Sequence, residues 1–141
     1  MSGIKNQITV NSERESKELA QKIASNIKSG DVIVFEGDLG SGKSFFCREI
    51  IKYLCGSNTK VTSPTFNLLQ TYESRNFTIY HYDLYRVKHE SELYELGFED
   101  ALSGNVTLIE WPDLAFSLLS DNLIFIKIEV IDETKRRILF K

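Results

Sequence analysis

Residues that define several protein classes are scarce in this 141-residue sequence. Its two cysteines, Cys47 and Cys55, are too few for a disulfide framework, and a predicted helix separates them beyond bridging distance. No apolar run approaches the roughly 18 residues of a membrane span, and residues 1–6 lack the apolar core of a signal peptide. Internal repeats, low-complexity segments, heptads and Cys/His clusters with metal-ligand spacing are also missing. We therefore expect a cytoplasmic protein without membrane contact.

A strong charge of either sign is missing as well. The formal net charge is −3, with 42% hydrophobic and 26% charged residues, which is typical of a globular chain. The length predicts one domain over residues 1–141. Only the segment 135–137 and Lys141 are locally basic. If RNA is involved, a partner should therefore carry most of the binding.

What the sequence does contain is a phosphate-binding motif at residues 37–44, Gly-Asp-Leu-Gly-Ser-Gly-Lys-Ser. Glycines let backbone N–H groups turn inward around phosphate oxygens, and the helix that follows presents its positive end to them. Lys43 is expected to reach the β- and γ-phosphates, and the Ser44 hydroxyl to hold Mg²⁺. A buried apolar run at 32–35 precedes the motif, and apolar residues at helical spacing follow it. The motif thus predicts an ATP site between a strand and a helix.

The remaining periodicity predicts an α/β fold with a mixed sheet. A short strand at 7–10 and a Ser12–Glu15 capping box precede a helix that we expect to end at Gly30. Runs at 68–73 and 77–82, joined by three polar residues, predict an antiparallel hairpin. Apolar runs at 106–110, 123–130 and 136–140 predict three more strands, the last two forming a terminal hairpin. Residues 90–96 suit a short helix, and Gly97 and Phe98 a turn.

Two segments after the motif carry further candidate residues. Pro64 excludes a central strand, so residues 61–66 are expected to form a shaped loop. The segment 81–86, His-Tyr-Asp-Leu-Tyr-Arg, ends a predicted strand. Asp83 is well placed to approach a phosphate crevice, although it could simply cap a turn. His81 is either functional or a hydrogen-bonded structural histidine, and Arg86 could act as an arginine finger if its loop closes.

A third segment, the apolar strand 106–110, ends on the carboxylate of Glu110 and resembles a Walker-B strand. In P-loop proteins this acidic residue helps to hold Mg²⁺, directly or through water. Strand-end acids also serve as caps, so the motif alone does not decide. The sole tryptophan, Trp111, follows at once and is either a lid over the nucleotide or a core plug.

In this order, the phosphate-binding motif, the Ser-Pro-Thr-Phe loop at 63–66, the segment 81–86 and the Glu-Trp-Pro sequence at 110–112 resemble the TsaE family, formerly called YjeE. These are small bacterial ATPases required for threonylcarbamoyl modification of the adenosine next to the anticodon in tRNAs that read ANN codons. The resemblance covers nearly the whole chain. It implies a P-loop NTPase-like three-layer fold, Mg-ATP binding, slow intrinsic hydrolysis, and action in a complex with the TsaB and TsaD proteins.

The resemblance also implies roles for individual residues. Catalysis would involve Lys43, Thr65 in a switch-like loop, and Asp83. The metal would be bound by Ser44 and Glu110. Ser16 and Arg136 would flank the base or ribose. The residues implied in ATP binding are Ser16, Asp38, Leu39, Gly40, Ser41, Gly42, Lys43, Ser44, Trp111, Asp113 and Arg136. Ser41 replaces the usual Ala, and Ser16 and Ser44 the usual Thr, which keeps a hydroxyl for the metal.

Two other functions fit a P-loop. A small-molecule kinase needs a second substrate pocket and an arginine-bearing lid, for which 141 residues leave little room. A non-catalytic switch would use ATP only to fix the shape of an interaction surface. For the ATPase, we expect partner binding to order the loop, since Pro64, Thr65, Asp83 and Arg86 cluster in predicted loops or strand ends.

Overall fold

The computed structural model describes residues 7–141. Residues 1–6, in which we expect no signal peptide, lie outside this range. No helix within the described range combines the length and apolar character needed to cross a membrane.

A seven-stranded mixed sheet forms the centre of the molecule, as predicted. Strands β1 to β7 are, in chain order, Gln7–Val10, Val32–Glu36, Leu69–Glu73, Thr78–Asp83, Val106–Glu110, Ile124–Val130 and Arg136–Phe140. Their order in the sheet is β1-β7-β6-β2-β5-β4-β3. Strands β6, β2, β5 and β4 run parallel, whereas β3 pairs antiparallel with β4, and β7 antiparallel with both β6 and β1. The predicted β3–β4 hairpin therefore forms one edge of the sheet. On the other side β1 pairs with the predicted β6–β7 hairpin and forms the outer edge.

Helices cover both faces of the sheet and make three layers. Helices α1 (Glu13–Ser25) and α2 (Lys43–Cys55) pack on one face, where Phe46 and Ile50 meet Ile33 and Leu108. The other face is covered by α3 (Ser91–Glu95), α4 (Phe98–Ala101) and a 3₁₀ helix (Pro112–Leu118). Strand β2 is covered on both faces, which explains why its apolar run is uninterrupted. Cys47 is buried, Cys55 is half-buried, and both are free thiols.

Helix α1 begins as predicted but ends earlier. Ser12 Oγ accepts the N–H of Glu15 at 3.1 Å, while the Glu15 carboxylate accepts the N–H of Asn11 at 2.9 Å. We predicted an end at Gly30, which was wrong, because the helix stops at Ser25. The side chains of Ser25 and Asn26 both donate to the carbonyl of Lys22 and so compete with the helical ladder.

The segment after α3 also differs from the prediction. Gly97 and Phe98 were expected to form only a turn, but α4 starts at Phe98, with Gly97 in the left-handed region at φ 75°. Four helical residues are too few to leave a periodic pattern in a sequence. This short helix places Phe98 against Tyr82, with ring centroids 5.0 Å apart.

Candidate functional site

The phosphate-binding motif lies where central strand β2 ends and α2 begins. Its backbone is left-handed at three glycines, with Gly37 at φ 152° and Gly42 at φ 116°. A Cβ on Gly37 would lie 2.5 Å from Ser41 Oγ and 2.7 Å from the carbonyl oxygen of Ile128, so the loop needs glycine here. The loop therefore curls at the positive end of a 13-residue helix, which is the arrangement that binds phosphate.

Lys43, the first residue of α2, is held over the loop. Its Nζ donates to the carbonyls of Gly37 at 2.5 Å and Asp38 at 3.0 Å. The same ammonium lies 3.9 Å from the centroid of the Trp111 ring. Burial lowers the pKa of Lys43, and the charges of Glu110, Asp83 and Asp38 oppose that shift. The ammonium of Lys43 therefore lies between the glycine loop and the Trp111 ring.

Ser44 and Glu110 meet across the site. Ser44 Oγ donates to Glu110 Oε1 at 2.9 Å. Glu110, the last residue of β5, is buried, whereas Ser44 is exposed. A hydroxyl and a carboxylate form an oxygen-only donor set, which fits a hard cation such as Mg²⁺. The pair predicted from two separate motifs therefore converges.

Two further polar side chains lie behind Glu110. His81 Nε2 is 2.7 Å from Glu110 Oε2, and His81 is only 1% exposed. Cys47, one turn after Ser44 in α2, contributes a thiol, and the ligand atoms of Cys47, His81 and Glu110 lie within 4.8 Å of one another. Burial raises the pKa of the Cys47 thiol, and the nearby carboxylates of Glu110 and Asp83 raise it further. Cys47 therefore stays protonated.

Asp83 is the last residue of β4 and pairs in register with Glu110 on β5. Its Oδ1 accepts the N–H of Tyr85 at 3.1 Å, and its Oδ2 faces Thr65 Oγ1 at 3.4 Å. Thr65 also hydrogen bonds to the hydroxyl of Ser63 at 2.7 Å. Asp83 therefore caps a turn, as one interpretation of the sequence predicted, and it also connects the predicted loop to the site. Tyr85 lies beyond the strand end and is exposed.

Trp111 belongs to the site and not to either apolar core cluster. Its backbone is left-handed at φ 57°, a strained conformation for a bulky residue. The indole packs against the Tyr85 ring in a tilted arrangement, with an interplanar angle of 50° and centroids 4.8 Å apart, and the Lys43 ammonium lies over its face. Of the two predicted roles, core plug is excluded. Strain at a ring beside charged groups is typical of functional sites.

Two cavities meet at the start of α2. The first, about 280 Å³, is lined by Lys43, Ser44, Thr65, Asp83, Tyr85, Glu110 and Trp111, and by Leu39, Gly40 and Gly42 of the glycine loop. The second, about 310 Å³, is lined by Ser16, Ser41, Arg136, Glu13, Phe46, Glu133 and Thr134. Both include Gly42 and Phe45, so together they form one trough over the helix end.

Arg136 joins the terminal hairpin to the glycine loop. Its Nε donates to the carbonyl of Ser41 at 3.0 Å, and its Nη1 donates to the carbonyls of Asp132 and Lys135. Ser41 Oγ is buried and has no hydrogen-bond partner among the described residues. Arg136 is therefore placed to shape both the loop and the second cavity.

Three candidate residues, Asp38, Asp113 and Arg86, do not line the trough. Asp38 and Asp113 line a different cleft, of about 560 Å³, together with Trp111 and Arg137, and Asp113 is exposed on the 3₁₀ helix. The guanidinium of Arg86 lies 5.1 Å from the ring centroid of the exposed Phe66.

The sequence did not reveal the contacts of Cys47 and Tyr85 in this site. For Cys47 a signal existed, because its three-residue spacing from Ser44 places both on one face of α2. No signal in the sequence predicts the contact between Tyr85 and Trp111, because it depends on the turn after β4 and on the left-handed backbone of Trp111.

Comparison with known proteins agrees with this architecture. A family model described as threonylcarbamoyl adenosine biosynthesis protein TsaE matches residues 10–138. The chain is 59% identical to the tRNA threonylcarbamoyladenosine biosynthesis protein TsaE of Rickettsia conorii over 128 residues, covering 91% of this chain and 73% of the relative. It is 38% identical to the protein of that name from Bacillus subtilis over 133 residues, covering 94% of this chain and 82% of the relative.

A solved structure is similar as well. The crystal structure of Bacillus subtilis YdiB superposes with a TM-score of 0.74 at 28% identity, covering 95% of this chain and 82% of that one. The fold is thus P-loop NTPase-like, with the mixed sheet predicted from the sequence. The chain therefore belongs to the TsaE family of tRNA threonylcarbamoyladenosine biosynthesis.

Proposed function

We propose that this protein is a Mg²⁺-dependent ATP hydrolase serving threonylcarbamoyl modification of the adenosine next to the anticodon in tRNAs that read ANN codons. The observation that carries the proposal is the 2.9 Å hydrogen bond between Ser44 and Glu110 beside the glycine loop. A hydroxyl and a carboxylate paired beside the glycine loop support binding of Mg²⁺ next to the β- and γ-phosphates of a nucleotide on this loop.

Each part of the trough has a role in this proposal. Backbone N–H groups of residues 38–43 and the ammonium of Lys43 bind the phosphates, with the positive end of α2 behind them. Ser44 and Glu110 hold Mg²⁺, which neutralises phosphate charge when bound. The second cavity, with Ser16 and Arg136, takes the ribose and base.

Asp83 is the residue proposed to orient the attacking water. Its carboxylate is buried at the mouth of the first cavity, and its Oδ2 faces Thr65 at 3.4 Å. That separation is too long for a strong hydrogen bond, and catalytic contacts commonly tighten only when a complex forms. Slow hydrolysis by the isolated chain follows from this loose contact.

Partner dependence is the next element of the proposal. We propose TsaB and TsaD as the proteins that complete the site, with tRNA reached only through that complex. Phe66 is 81% exposed beside Thr65, and Leu39 is 76% exposed at the tip of the glycine loop. Apolar side chains on both rims of an ATP site suit a protein that covers it. Closure there would bring Thr65 onto Asp83.

Phosphate release from ATP, with Mg²⁺ or with EDTA, tests the proposal. We expect slow release that requires Mg²⁺ and rises when TsaB and TsaD are added together. An unchanged rate with both partners would remove the partner dependence. Transfer of the phosphoryl group to a small-molecule acceptor would instead support the kinase.

The switch is separated from the hydrolase by Asp83→Ala. Loss of tRNA modification with normal complex assembly would favour hydrolysis as the working step. Modification that persists without hydrolysis would favour a switch in which ATP only shapes the surface. Ser63→Ala is a matched control in the same loop contact, because Ser63 touches Thr65 and not Asp83.

A further inference from the structure

His81 is a buried polar residue in contact with the proposed metal ligand Glu110, and the proposed mechanism leaves it without a role. It lies on β4, two residues before Asp83, and its side chain faces α2 together with those of Asp83 and Glu110. At 1% exposure it is fully shielded from solvent. A polar ring at this depth needs partners, and the two ring nitrogens differ in what they find.

The hydrogen bonds of the ring define its tautomer. Nε2 lies 2.7 Å from Glu110 Oε2, so it carries the proton and donates to the carboxylate. Nδ1 is buried and has no hydrogen-bond partner among the described residues. A proton on Nδ1 would be a buried, unpaired donor, which costs more than an unpaired acceptor. The geometry therefore assigns a proton to Nε2, which donates to Glu110.

The carboxylate of Glu110 is consequently held at both oxygens. Oε1 accepts from Ser44 Oγ at 2.9 Å, and Oε2 accepts from His81 at 2.7 Å. The terminal torsion of a glutamate is broad and leaves the carboxylate free to rotate. With Oε2 fixed by an imidazole on the neighbouring strand, Oε1 is directed at Ser44 and the cavity.

We propose that His81 is a positioning residue that orients Glu110 for Mg²⁺ through its Nε2–H. This inference rests on the proposed Mg²⁺-dependent function. Outer partners of metal ligands commonly fix ligand orientation, and their loss weakens metal affinity by roughly 10–100-fold. The alternative is that His81 only fills space between β4 and α2.

Two amide substitutions separate these roles. In His81→Gln the amide nitrogen takes the place of Nε2 and can still donate to Glu110, whereas in His81→Asn it takes the place of Nδ1 and cannot reach. Both replacements are polar and smaller than imidazole, so a packing role predicts similar effects. The measurement is binding of a non-hydrolysable fluorescent ATP analogue, titrated with MgCl₂ and repeated in EDTA.

We expect His81→Asn to need about tenfold more Mg²⁺ for half-maximal binding, by the effect of outer partners. His81→Gln should stay near the wild type, and all three proteins should bind the analogue equally in EDTA. The matched control is His89→Asn at the exposed second histidine. Equal effects of Gln and Asn, or unchanged Mg²⁺ affinity in His81→Asn, would overturn the inference.

Wild-type protein gives a second readout that needs no metal and no variant. ¹⁵N correlation spectra should show a proton of His81 on Nε2, and an Nε2 without a proton would contradict the inference even if His81→Asn fails to fold. The proposed function fails separately: wild type that binds the analogue equally in MgCl₂ and EDTA contradicts Mg²⁺ dependence itself. Metal-dependent binding with an indifferent His81→Asn contradicts only the role of His81.

Discussion

The ammonium of Lys43 lies 3.9 Å from the centroid of the Trp111 ring, so the cation expected to meet phosphate rests on the sole tryptophan of the chain. Such a contact is worth about 0.5–2 kcal/mol, depending on solvation. A nucleotide that binds Lys43 must therefore compete with the indole, and the fluorescence of the tryptophan should report that competition.

The first prediction concerns this contact. Adding ATP and Mg²⁺ should change the emission of Trp111, because Lys43 redirects its charge from the ring to the phosphates. Lys43→Ala should alter the emission of the free protein and abolish the nucleotide-dependent change. The measurement is a fluorescence titration excited at the indole band. An undiminished change in Lys43→Ala would show that the signal has another source.

The second prediction concerns the backbone of the glycine loop. Gly37→Ala should lower the free energy of unfolding by about 2–4 kcal/mol, combining left-handed strain with overpacking against Ser41 and the Ile128 carbonyl. Gly40→Ala is the matched control, since φ is 79° there and no atom lies within 4 Å of an added Cβ. Strain alone should cost it about 1–2 kcal/mol. Urea denaturation monitored by circular dichroism measures both, and equal losses would contradict the close contact.

The third prediction separates two adjacent arginines. Arg136→Ala should weaken ATP binding about tenfold, since its Nε bond to the Ser41 carbonyl supports the loop. Arg137→Ala should leave ATP affinity unchanged, because Arg137 is exposed and contacts Glu129 instead. Calorimetric titration of both variants decides the matter. A larger loss in Arg137→Ala would move the base-flanking role to that residue.

The fourth prediction concerns the hydroxyl of Ser44, which donates to Glu110. Ser44→Thr keeps the hydroxyl that meets Glu110 and should retain Mg²⁺-dependent binding of ATP. Ser44→Ala should bind Mg²⁺ at least about tenfold more weakly, because even the loss of an outer partner of a metal ligand has an effect of this size. The apparent Mg²⁺ constant is measured at fixed nucleotide. Wild-type behaviour of Ser44→Ala would remove Ser44 from the metal site.

The centre of the fold was predictable because local patterns there agree with the tertiary structure. The apolar run before Gly37 and the four-residue spacing after Ser44 each predict one element, and the glycine motif fixes how they join. Glu110 followed from the same logic, as a carboxylate at the end of a parallel strand shares an edge with the loop. The helix end at Ser25 was missed because side-chain bonds back to Lys22 decided it.

Contacts that depend on pairing between distant strands were not predictable. Arg136 and Ser41 are 95 positions apart, and His81 and Glu110 are 29 apart. The register of β4 and β5 brings His81 to Glu110, and the position of β7 in the sheet brings Arg136 to the glycine loop. The orientation of the Trp111 side chain depends on its left-handed backbone, and a tryptophan in a sequence does not predict that conformation. The chemistry was therefore visible in the sequence, whereas the orientation of its groups was not.

The most direct test of the central claim is a crystal structure with a non-hydrolysable ATP analogue and Mn²⁺ in place of Mg²⁺. Anomalous scattering from Mn²⁺ then locates the metal directly. We predict a single strong peak in contact with Ser44 Oγ and beside Glu110, directly or through one water, with the phosphates inside residues 37–44. Phosphates elsewhere, or a metal peak remote from Ser44 and Glu110, would contradict the account.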